Sequence, residues 1–411
     1  MPRIKSGGEG RASSGWRPLI YRIGTVLVST LISLLLAELA MRVVENRKAR
    51  RDDSLMEAKL VRDPELGRVL PPYALHHDAN GFRNDSVPTK ASIVSIGDSQ
   101  TWGSRVARVN GWPQQLGKIS GRTVYDMSLP GFGPVQYFAL AQRSLKFSPE
   151  VVVVGVYLGN DIYDSYSIAY ENEQYSALRD PQVASALSRD TVGPKATSLR
   201  DAQRDFHERY GILTVIGLSY WGRAHLALGR ALNNLAMTTG ARDIDFEVSE
   251  EWARAFPEQG TVYGERNTRT VFLTAYRLMA LDLDEPRIAE GLRIAKALLP
   301  RMRTAVEANG ARLLVLLIPT KESVYADALA QQTQSSANYA KVVQMESRIR
   351  SELISTCHDQ GIEWVDALPV LSEAVRRGDQ IYPSTADEHF EARGYHILAS
   401  RVNDTLARLH W

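Results

Sequence analysis

Short apolar runs alternate with helical stretches along much of this chain. Runs of this length and composition are typical of strands buried in a parallel sheet. They occupy residues 92–96, 123–128, 151–157, 312–318 and 362–365. Because each crossover helix covers one face of the sheet, the alternation predicts a three-layer, doubly wound α/β fold with about five parallel strands. Ligands of such folds bind beyond the carboxyl ends of the strands, so functional residues are expected there.

A long segment, residues 162–285, interrupts this alternation. It contains helix-like stretches at 200–209 and 220–237 and no recognisable chemical motif, so we predict a large helical insertion. Because it follows the third predicted strand, it could fold over the site as a lid, and peripheral packing is the alternative. The clearest helix, 286–309, comes next, with Asp284 as its predicted cap and proline in its first turn.

The N-terminal part of the chain predicts a membrane anchor. Residues 1–18 are polar, basic and glycine-rich, which is typical of disorder. Residues 19–43 include a mostly apolar run of roughly 19 residues, about the span of a bilayer core. A cleaved signal peptide is the alternative, although Glu38 stands where cleavage after Ala40 would need a small residue. We predict a juxtamembrane linker over 44–90 and the main domain over 91–411.

Composition limits the classes of partner and cofactor. With 49 basic and 47 acidic residues, the chain has no overall field that would attract nucleic acid, which we do not expect as a partner. The single cysteine, Cys357, excludes an internal disulfide and a cysteine-based zinc site. The sequence His76-His77-Asp78 has no further ligand at metal-binding spacing. We therefore expect neither a metal nor a cofactor.

A serine follows the first predicted strand, in Gly97-Asp98-Ser99. At a strand-to-helix turn, the amides of the helix N-terminus can stabilise a developing anion, so Ser99 is a candidate nucleophile. Simple helix capping by Asp98 or Ser99 is the alternative. The second and third predicted strands are followed by Gly131 and Asn160, whose N–H groups could join the Ser99 amide in an oxyanion hole. Ordinary turns would explain both residues equally well.

A possible general base lies near the C-terminus, in Asp387-Glu388-His389. Side chains two residues apart in an extended segment point the same way, so Asp387 could orient the His389 ring. His389 would then accept the Ser99 proton and later donate it to the leaving group. Taken alone, an Asp-x-His sequence is weak evidence, because polar loops contain such pairs by chance.

In this order and at these strand ends, the four segments resemble the SGNH (GDSL-type) hydrolase family. The resemblance covers residues 80–411 apart from the insertion, and it implies a flavodoxin-like fold. It implies a catalytic triad of Ser99, Asp387 and His389, with oxyanion donors at Ser99, Gly131 and Asn160. Two spacings depart from the family: many members have a residue between the glycine and asparagine of the third block, and two residues between Asp and His.

The resemblance also extends to function and location. Residues 81–84 and 319–322 look like features of membrane-anchored members, which are often linked to cell-envelope polysaccharides. Lys321 could bind an anionic substrate, with a solvated loop lysine as the alternative, and Trp102 could also contact substrate. The resemblance implies an esterase or deacetylase acting on an acylated glycan or lipid through an acyl-serine. An O-acetyltransferase that modifies a cell-envelope polysaccharide, and an inactive envelope scaffold, are the alternatives. We expect the main domain outside the cytoplasm, tethered by residues 19–43.

Overall fold

The computed structural model describes residues 60–183, 256–265, 268–331 and 336–411, with scattered positions within 21–36 and 250–254. The chain forms two compact units, and the described positions of the first one (Met1–Ala49 with Tyr210–Ala241) lie within 21–36 and are helical. No helix among the described residues is long and apolar enough to cross a bilayer. The predicted segments 1–18, 200–209 and 220–237, and most of 19–43, lie outside the described residues.

The second unit, Arg50–Arg209 with Arg242–Trp411, contains the remaining described elements. Its described strands are β1 (Val61–Asp63), β2 (Gly67–Val69), β3 (Ile93–Ile96), β4 (Val124–Asp126), β5 (Val151–Tyr157), β6 (Thr261–Glu265), β7 (Thr268–Phe272), β8 (Arg312–Ile318) and β9 (Glu363–Asp366). Its described α-helices are α1 (Ser99–Trp102), α2 (Trp112–Ser120), α3 (Pro134–Ser144), α4 (Asp161–Glu171), α5 (Thr274–Leu281), α6 (Pro286–Glu307), α7 (Lys321–Val324), α8 (Ala326–Ala330), α9 (Ala337–Asp359), α10 (Leu368–Arg376) and α11 (Ala392–Arg408).

The predicted parallel sheet is confirmed. Its five strands run in the order β4-β3-β5-β8-β9, and every neighbouring pair is parallel. In chain order this is the 2-1-3-4-5 arrangement of flavodoxin-like folds, in which the strand order reverses between β3 and β5. The residues that follow these two strands, including Ser99 and Asn160, therefore lie at the switch point where such folds bind ligands.

Helices cover both faces of the sheet, and every residue of β3 and β5 is buried. Along β5, Val152 and Val154 belong to the apolar core that includes α3, α4, α6 and α9, whereas Val151 and Val153 belong to the core that includes α2, α10 and α11. All four valines are at most 1% exposed. This two-sided burial explains why β5 is a continuous apolar run and not an alternating one.

Residues 60–90 differ from the predicted linker, because they pack onto the main domain. Strands β1 and β2 form an antiparallel hairpin, and Leu66, Leu70 and Phe82 enter the core on the α3 side of the sheet. The Arg143 guanidinium on α3 donates to Asp63 at 2.9 Å and ties the hairpin to that helix. Residues 60–90 are therefore part of the packed domain, which was predicted to begin at residue 91.

The described parts of the predicted insertion also pack against the main domain. The β6–β7 hairpin contacts the loop before α11, where the Thr270 hydroxyl donates to the Pro383 carbonyl at 2.8 Å. Helix α6 begins at Pro286, and its cap is Glu285 in place of the predicted Asp284, because the Glu285 carboxylate accepts from the Arg287 amide.

Candidate active site

Close packing fixes the turn that carries Ser99. After β3, the Asp98 carboxylate caps α1 by accepting the Gln100 amide at 2.9 Å. A Cβ on Gly97 would lie 2.1 Å from Thr101 Oγ1, and a Cβ on Gly155 of β5 would lie 2.6 Å from the same atom. Only glycine leaves room for this approach of the turn to β5. Ser99 is therefore held as the first residue of α1, at the carboxyl edge of the sheet.

The structure brings Ser99, His389 and Asp387 together in a continuous hydrogen-bonded chain. His389 Nε2 lies 2.9 Å from Ser99 Oγ, and His389 Nδ1 lies 2.8 Å from Asp387 Oδ1. Asp387 Oδ1 also accepts the His389 amide at 3.0 Å, which fixes the carboxylate relative to the ring. A base that contacts the hydroxyl, and is itself oriented by a third group, is the arrangement that activates a serine.

Other carboxylates near His389 have different partners. Glu388 pairs with Arg277 at 2.5 Å, and Glu391 pairs with Arg105 at 3.2 Å. The side chain that orients His389 is therefore Asp387, despite the single residue between them. In a loop without regular structure, the Asp387 carboxylate folds back over two residues to reach both the amide and the ring of His389.

The charges around the triad favour an ionised Asp387 beside a basic imidazole. Burial would raise the pKa of Asp387, but the hydrogen bond and charge of His389 and the charge of Arg105 hold it well below its usual range. Burial would lower the pKa of His389, but the hydrogen bond to Asp387 and the nearby charges of Glu388 and Asp387 raise it above its usual value. A carboxylate that stays ionised keeps the imidazole a good proton acceptor.

The predicted oxyanion residues follow the neighbouring strands. Gly131, with a φ of +81°, lines a cavity of about 230 Å³, and Asn160 immediately precedes α4. The described hydrogen bonds include none donated by the Ser99 or Gly131 amide. The side-chain amide of Asn160 donates one hydrogen to Asp164 Oδ2 at 2.6 Å, and a second hydrogen remains on the same nitrogen. Each of the three residues therefore has an N–H group without an acceptor among the described hydrogen bonds.

Two residues expected to contact substrate lie buried. Lys321 is 1% exposed, and its ammonium group donates to Val271 O at 2.8 Å, Asp387 O at 2.9 Å and Thr385 O at 3.1 Å. Trp102 is 4% exposed and its indole N–H donates to the His77 ring at 3.2 Å. Neither placement fits the expected contact with substrate. Through these hydrogen bonds, Lys321 instead holds the segment that carries Asp387 in place.

Three further residues near the site were not predicted from the sequence. Arg105 donates to the outer oxygen of Asp387 at 3.1 Å. Arg277, which is 2% exposed, donates to the Gly159 carbonyl at 2.6 Å and pairs with Glu388, so it connects the Asn160 and His389 segments. Burial and the charge of Asp98 raise the pKa of Asp164 to about 8. Only Arg105 could have been suspected, from its closeness to Ser99 in the sequence.

Metal chemistry has no visible site in the described part of the chain. No group of three or more His, Cys, Asp or Glu side chains there is arranged to hold a metal ion. His77, one of the two histidines considered above, is buried and contacts Trp102.

Comparison with known proteins agrees with the sequence motifs. Residues 276–411 match the family model described as the SGNH hydrolase-like domain of the acetyltransferase AlgX. This match confirms the resemblance to SGNH hydrolases for the part of the chain that contains Asp387 and His389. No curated protein matches the chain.

Two solved structures show what else the chain is similar to. A G-D-S-L family protein from Desulfitobacterium hafniense DCB-2 is 13% identical, with a TM-score of 0.33, and the match covers 78% of this chain and 100% of that one. An α/β hydrolase enzyme from the metagenome of Lake Arreo, Spain, is 10% identical, with a TM-score of 0.34, and the match covers 78% and 95% of the two chains.

Proposed function

We propose that this protein is a serine esterase that acts on acyl esters through an acyl-serine intermediate. The observation that carries the proposal is the chain of contacts from Ser99 Oγ through His389 to Asp387, at 2.9 and 2.8 Å. The match of residues 276–411 to an SGNH hydrolase-like domain supports the same class of chemistry.

Each group has a role in the proposed reaction. Ser99 Oγ attacks the ester carbonyl while His389 Nε2 takes its proton, and the ionised Asp387 stabilises the imidazolium that forms. The amides of Ser99 and Gly131 and the side-chain amide of Asn160 would donate to the tetrahedral oxyanion. His389 then protonates the leaving alcohol, and a water activated by the same ring releases the acid.

The test is covalent labelling of the purified protein with a fluorophosphonate probe. We expect wild-type protein to be labelled, Ser99→Ala to abolish labelling and His389→Ala to nearly abolish it. Ser351→Ala, which removes an exposed hydroxyl on α9, is the matched control and should be labelled like the wild type. Folded wild-type protein that stays unlabelled would instead fit an inactive scaffold.

A second candidate, an O-acetyltransferase, is favoured by one observation. The family model that matches residues 276–411 is named for an acetyltransferase. The same triad would form the acyl-serine, but a sugar hydroxyl of a cell-envelope polysaccharide would replace water as the acceptor. A transferase must keep water away or hold its acceptor beside the acyl group.

The two candidates differ in where the acyl group goes. A chromogenic acetyl ester is supplied with and without a polysaccharide acceptor, and free acetate and acetylated glycan are both followed. The esterase proposal expects rapid release of acetate without acceptor. Negligible acetate release without acceptor, together with rapid glycan acetylation when acceptor is present, would establish the transferase.

We also propose that the substrate is an acylated glycan or lipid of the cell envelope and that residues 19–43 tether the enzyme outside the cytoplasm. The apolar run in 19–43 and the resemblance of 81–84 and 319–322 to membrane-anchored members support this. A C-terminal reporter that is active only outside the cytoplasm should give a signal in cells. A silent fusion that is well expressed would contradict the location.

A further inference from the structure

A cleft of about 580 Å³ opens beside Asn160. Its volume lies in the range of small-molecule sites, about 300–1,000 Å³. Residues of α4, α5 and α6 and the Asn338 side chain of α9 line it. Because Asn160 is one of these lining residues, a group bound here would extend directly from the proposed oxyanion hole. We call it the Tyr276 cleft.

Three exposed aromatic and apolar side chains line the Tyr276 cleft. Tyr276 is 55% exposed, and Tyr163 and Met279 are each 40% exposed. The guanidinium of the buried Arg277 lies over the Tyr276 ring, 5.8 Å from its centre. An exposed ring in a cleft beside a proposed oxyanion donor is a surface on which a ligand can stack.

Charged and polar groups surround these rings. Asp164, Asp282 and Glu285 contribute carboxylates, whereas Arg287 contributes the one guanidinium of the lining. Arg287 is already paired with Glu285 at 2.8 Å. Lys341, outside the lining, pairs with Asp282 at 2.7 Å. Both of these cations are therefore already held by a carboxylate, and an anionic ligand would find no unpaired cation among the lining residues.

An acyl chain would also fit poorly. Covering Asp282 and Glu285 with methylene groups would remove their water without replacing its hydrogen bonds. A sugar ring avoids both penalties, since its C–H face can pack on an aromatic ring while its hydroxyls bond to carboxylates, the Asn338 amide and Arg287.

We propose that the Tyr276 cleft binds the carbohydrate part of the ester, and that this carbohydrate is a neutral sugar stacked on Tyr276. The inference rests on the proposed esterase function and narrows its substrate class. It predicts discrimination against uronic acids and other anionic sugars, and against esters of lipid alcohols.

The first experiment compares kcat/KM for acetylated xylotriose, acetylated trigalacturonate and p-nitrophenyl acetate. We expect the neutral ester to be preferred over the uronate. In Tyr276→Ala, the ratio of kcat/KM for acetylated xylotriose to that for p-nitrophenyl acetate should fall about tenfold, as expected for the loss of one aromatic contact. Tyr276→Phe keeps the ring and should keep most of this ratio.

The matched control is Tyr73→Ala, which removes a tyrosine that is 72% exposed and outside the cleft lining. It should change kcat/KM neither for acetylated xylotriose nor for p-nitrophenyl acetate. Equal use of neutral and uronic esters, a preference for glycerol esters of long fatty acids, or an unchanged ratio in Tyr276→Ala would each overturn the proposal.

A binding measurement separates failure of this inference from failure of the esterase function. Calorimetry with unacylated xylotriose and Ser99→Ala protein needs no catalysis. We expect xylotriose to bind more tightly than trigalacturonate and Tyr276→Ala to weaken its Kd about tenfold. If this result is obtained but no Ser99-dependent hydrolysis is found, the cleft assignment holds and the esterase proposal fails. If hydrolysis is found but xylotriose does not bind, the reverse conclusion follows.

Discussion

The Ser99 turn and the His389 loop meet where His389 Nε2 contacts Ser99 Oγ, but different forces hold them. The turn lies between β3 and α1, and its shape follows from main-chain hydrogen bonds and from glycines that admit Thr101. The loop, which we define as residues 380–391, contains neither helix nor strand. It is fixed by the buried Lys321 and Arg277 side chains, which reach it from other parts of the chain.

The position of the Ser99 turn is therefore set by packing, whereas the position of the His389 loop is set by buried charged groups. Packing tolerates little change in volume, whereas a buried cation is needed for the carbonyls and carboxylates that it satisfies. Substitutions that disturb the turn should therefore mainly lower the free energy of unfolding. Substitutions that disturb the loop should mainly lower kcat, because the loop lies at the edge of the sheet and carries His389, the proposed base.

The largest effect is expected where the two regions act as one unit. Ser99→Ala and His389→Ala should each lower kcat for p-nitrophenyl acetate by about 10⁴-fold or more, because nucleophile and base work together. The double variant should be no worse than either single variant. Additive losses, or substantial activity in folded His389→Ala protein, would show that the two regions do not form one catalytic unit.

A methyl group added at Gly97 should distort the Ser99 turn, because there is no space for it. Its Cβ would lie 2.1 Å from Thr101 Oγ1, 2.6 Å from Thr101 Cβ and 3.0 Å from the Gly155 carbonyl. We expect Gly97→Ala to lower the free energy of unfolding by about 3 kcal/mol, measured by urea denaturation. Adding Thr101→Ala should restore part of this loss, since Thr101 Oγ1 is buried without a hydrogen-bond partner.

The matched control is Gly121→Ala, where a Cβ meets no atom within 4 Å but φ is +69°. Only the cost of the left-handed backbone applies there, about 1 kcal/mol. If Gly97→Ala costs no more than Gly121→Ala, packing does not define the Ser99 turn.

Removal of the Lys321 ammonium should damage the loop. In Lys321→Met, the carbonyls of Thr385 and Asp387 lose a buried donor, at a cost of about 2 kcal/mol. If most of this cost falls on the alignment of His389, kcat should fall about 30-fold with little change in KM. Lys296→Met, which removes an exposed ion pair with Glu352, is the control and should leave kcat unchanged. An equal loss of kcat in both variants would contradict the role of Lys321.

Sequence patterns predicted the turn better than the loop, for a physical reason. Strands β5 and β8 match the predicted runs at 151–157 and 312–318, because burial on both faces forces a continuous apolar sequence. The place of Ser99 after β3 follows from local geometry. Both features depend on a pattern within one short stretch of sequence, so they can be recognised without knowing which distant residues are in contact.

The supports of the loop could not be predicted in this way. Lys321 and Arg277 are far from Asp387 in the sequence, and neither a lysine after a strand nor an arginine in an insertion shows that its side chain is buried. Residues 60–90 were predicted as part of a linker, yet Leu66 and Phe82 are buried. Their burial depends on surfaces supplied by distant segments.

The smallest of these effects is expected in the pH dependence of activity. Arg105 joins the two regions, since it follows α1 and its guanidinium donates to Asp387 Oδ2 at 3.1 Å. Asp387 has a pKa well below its usual range and stays ionised with or without Arg105 at neutral pH. Loss of the Arg105 charge therefore acts mainly on His389, whose protonated form would lose a nearby repelling charge. The pKa of His389 should rise, and the acid limb of kcat/KM should move to higher pH.

The expected shift in Arg105→Gln is about half a pH unit, because Arg105 is 35% exposed in its ion pair and solvent and salt screen its charge. The measurement is the pH profile of kcat/KM for p-nitrophenyl acetate, which reports groups of the free enzyme. Arg105→Lys keeps the charge and should keep most of the wild-type profile. High salt should move the wild-type limb toward that of Arg105→Gln and have less effect on the variant. A shift to lower pH would mean that Arg105 acts on His389 by displacing Asp387, so that the orientation of the carboxylate, and not its field, connects the turn to the loop.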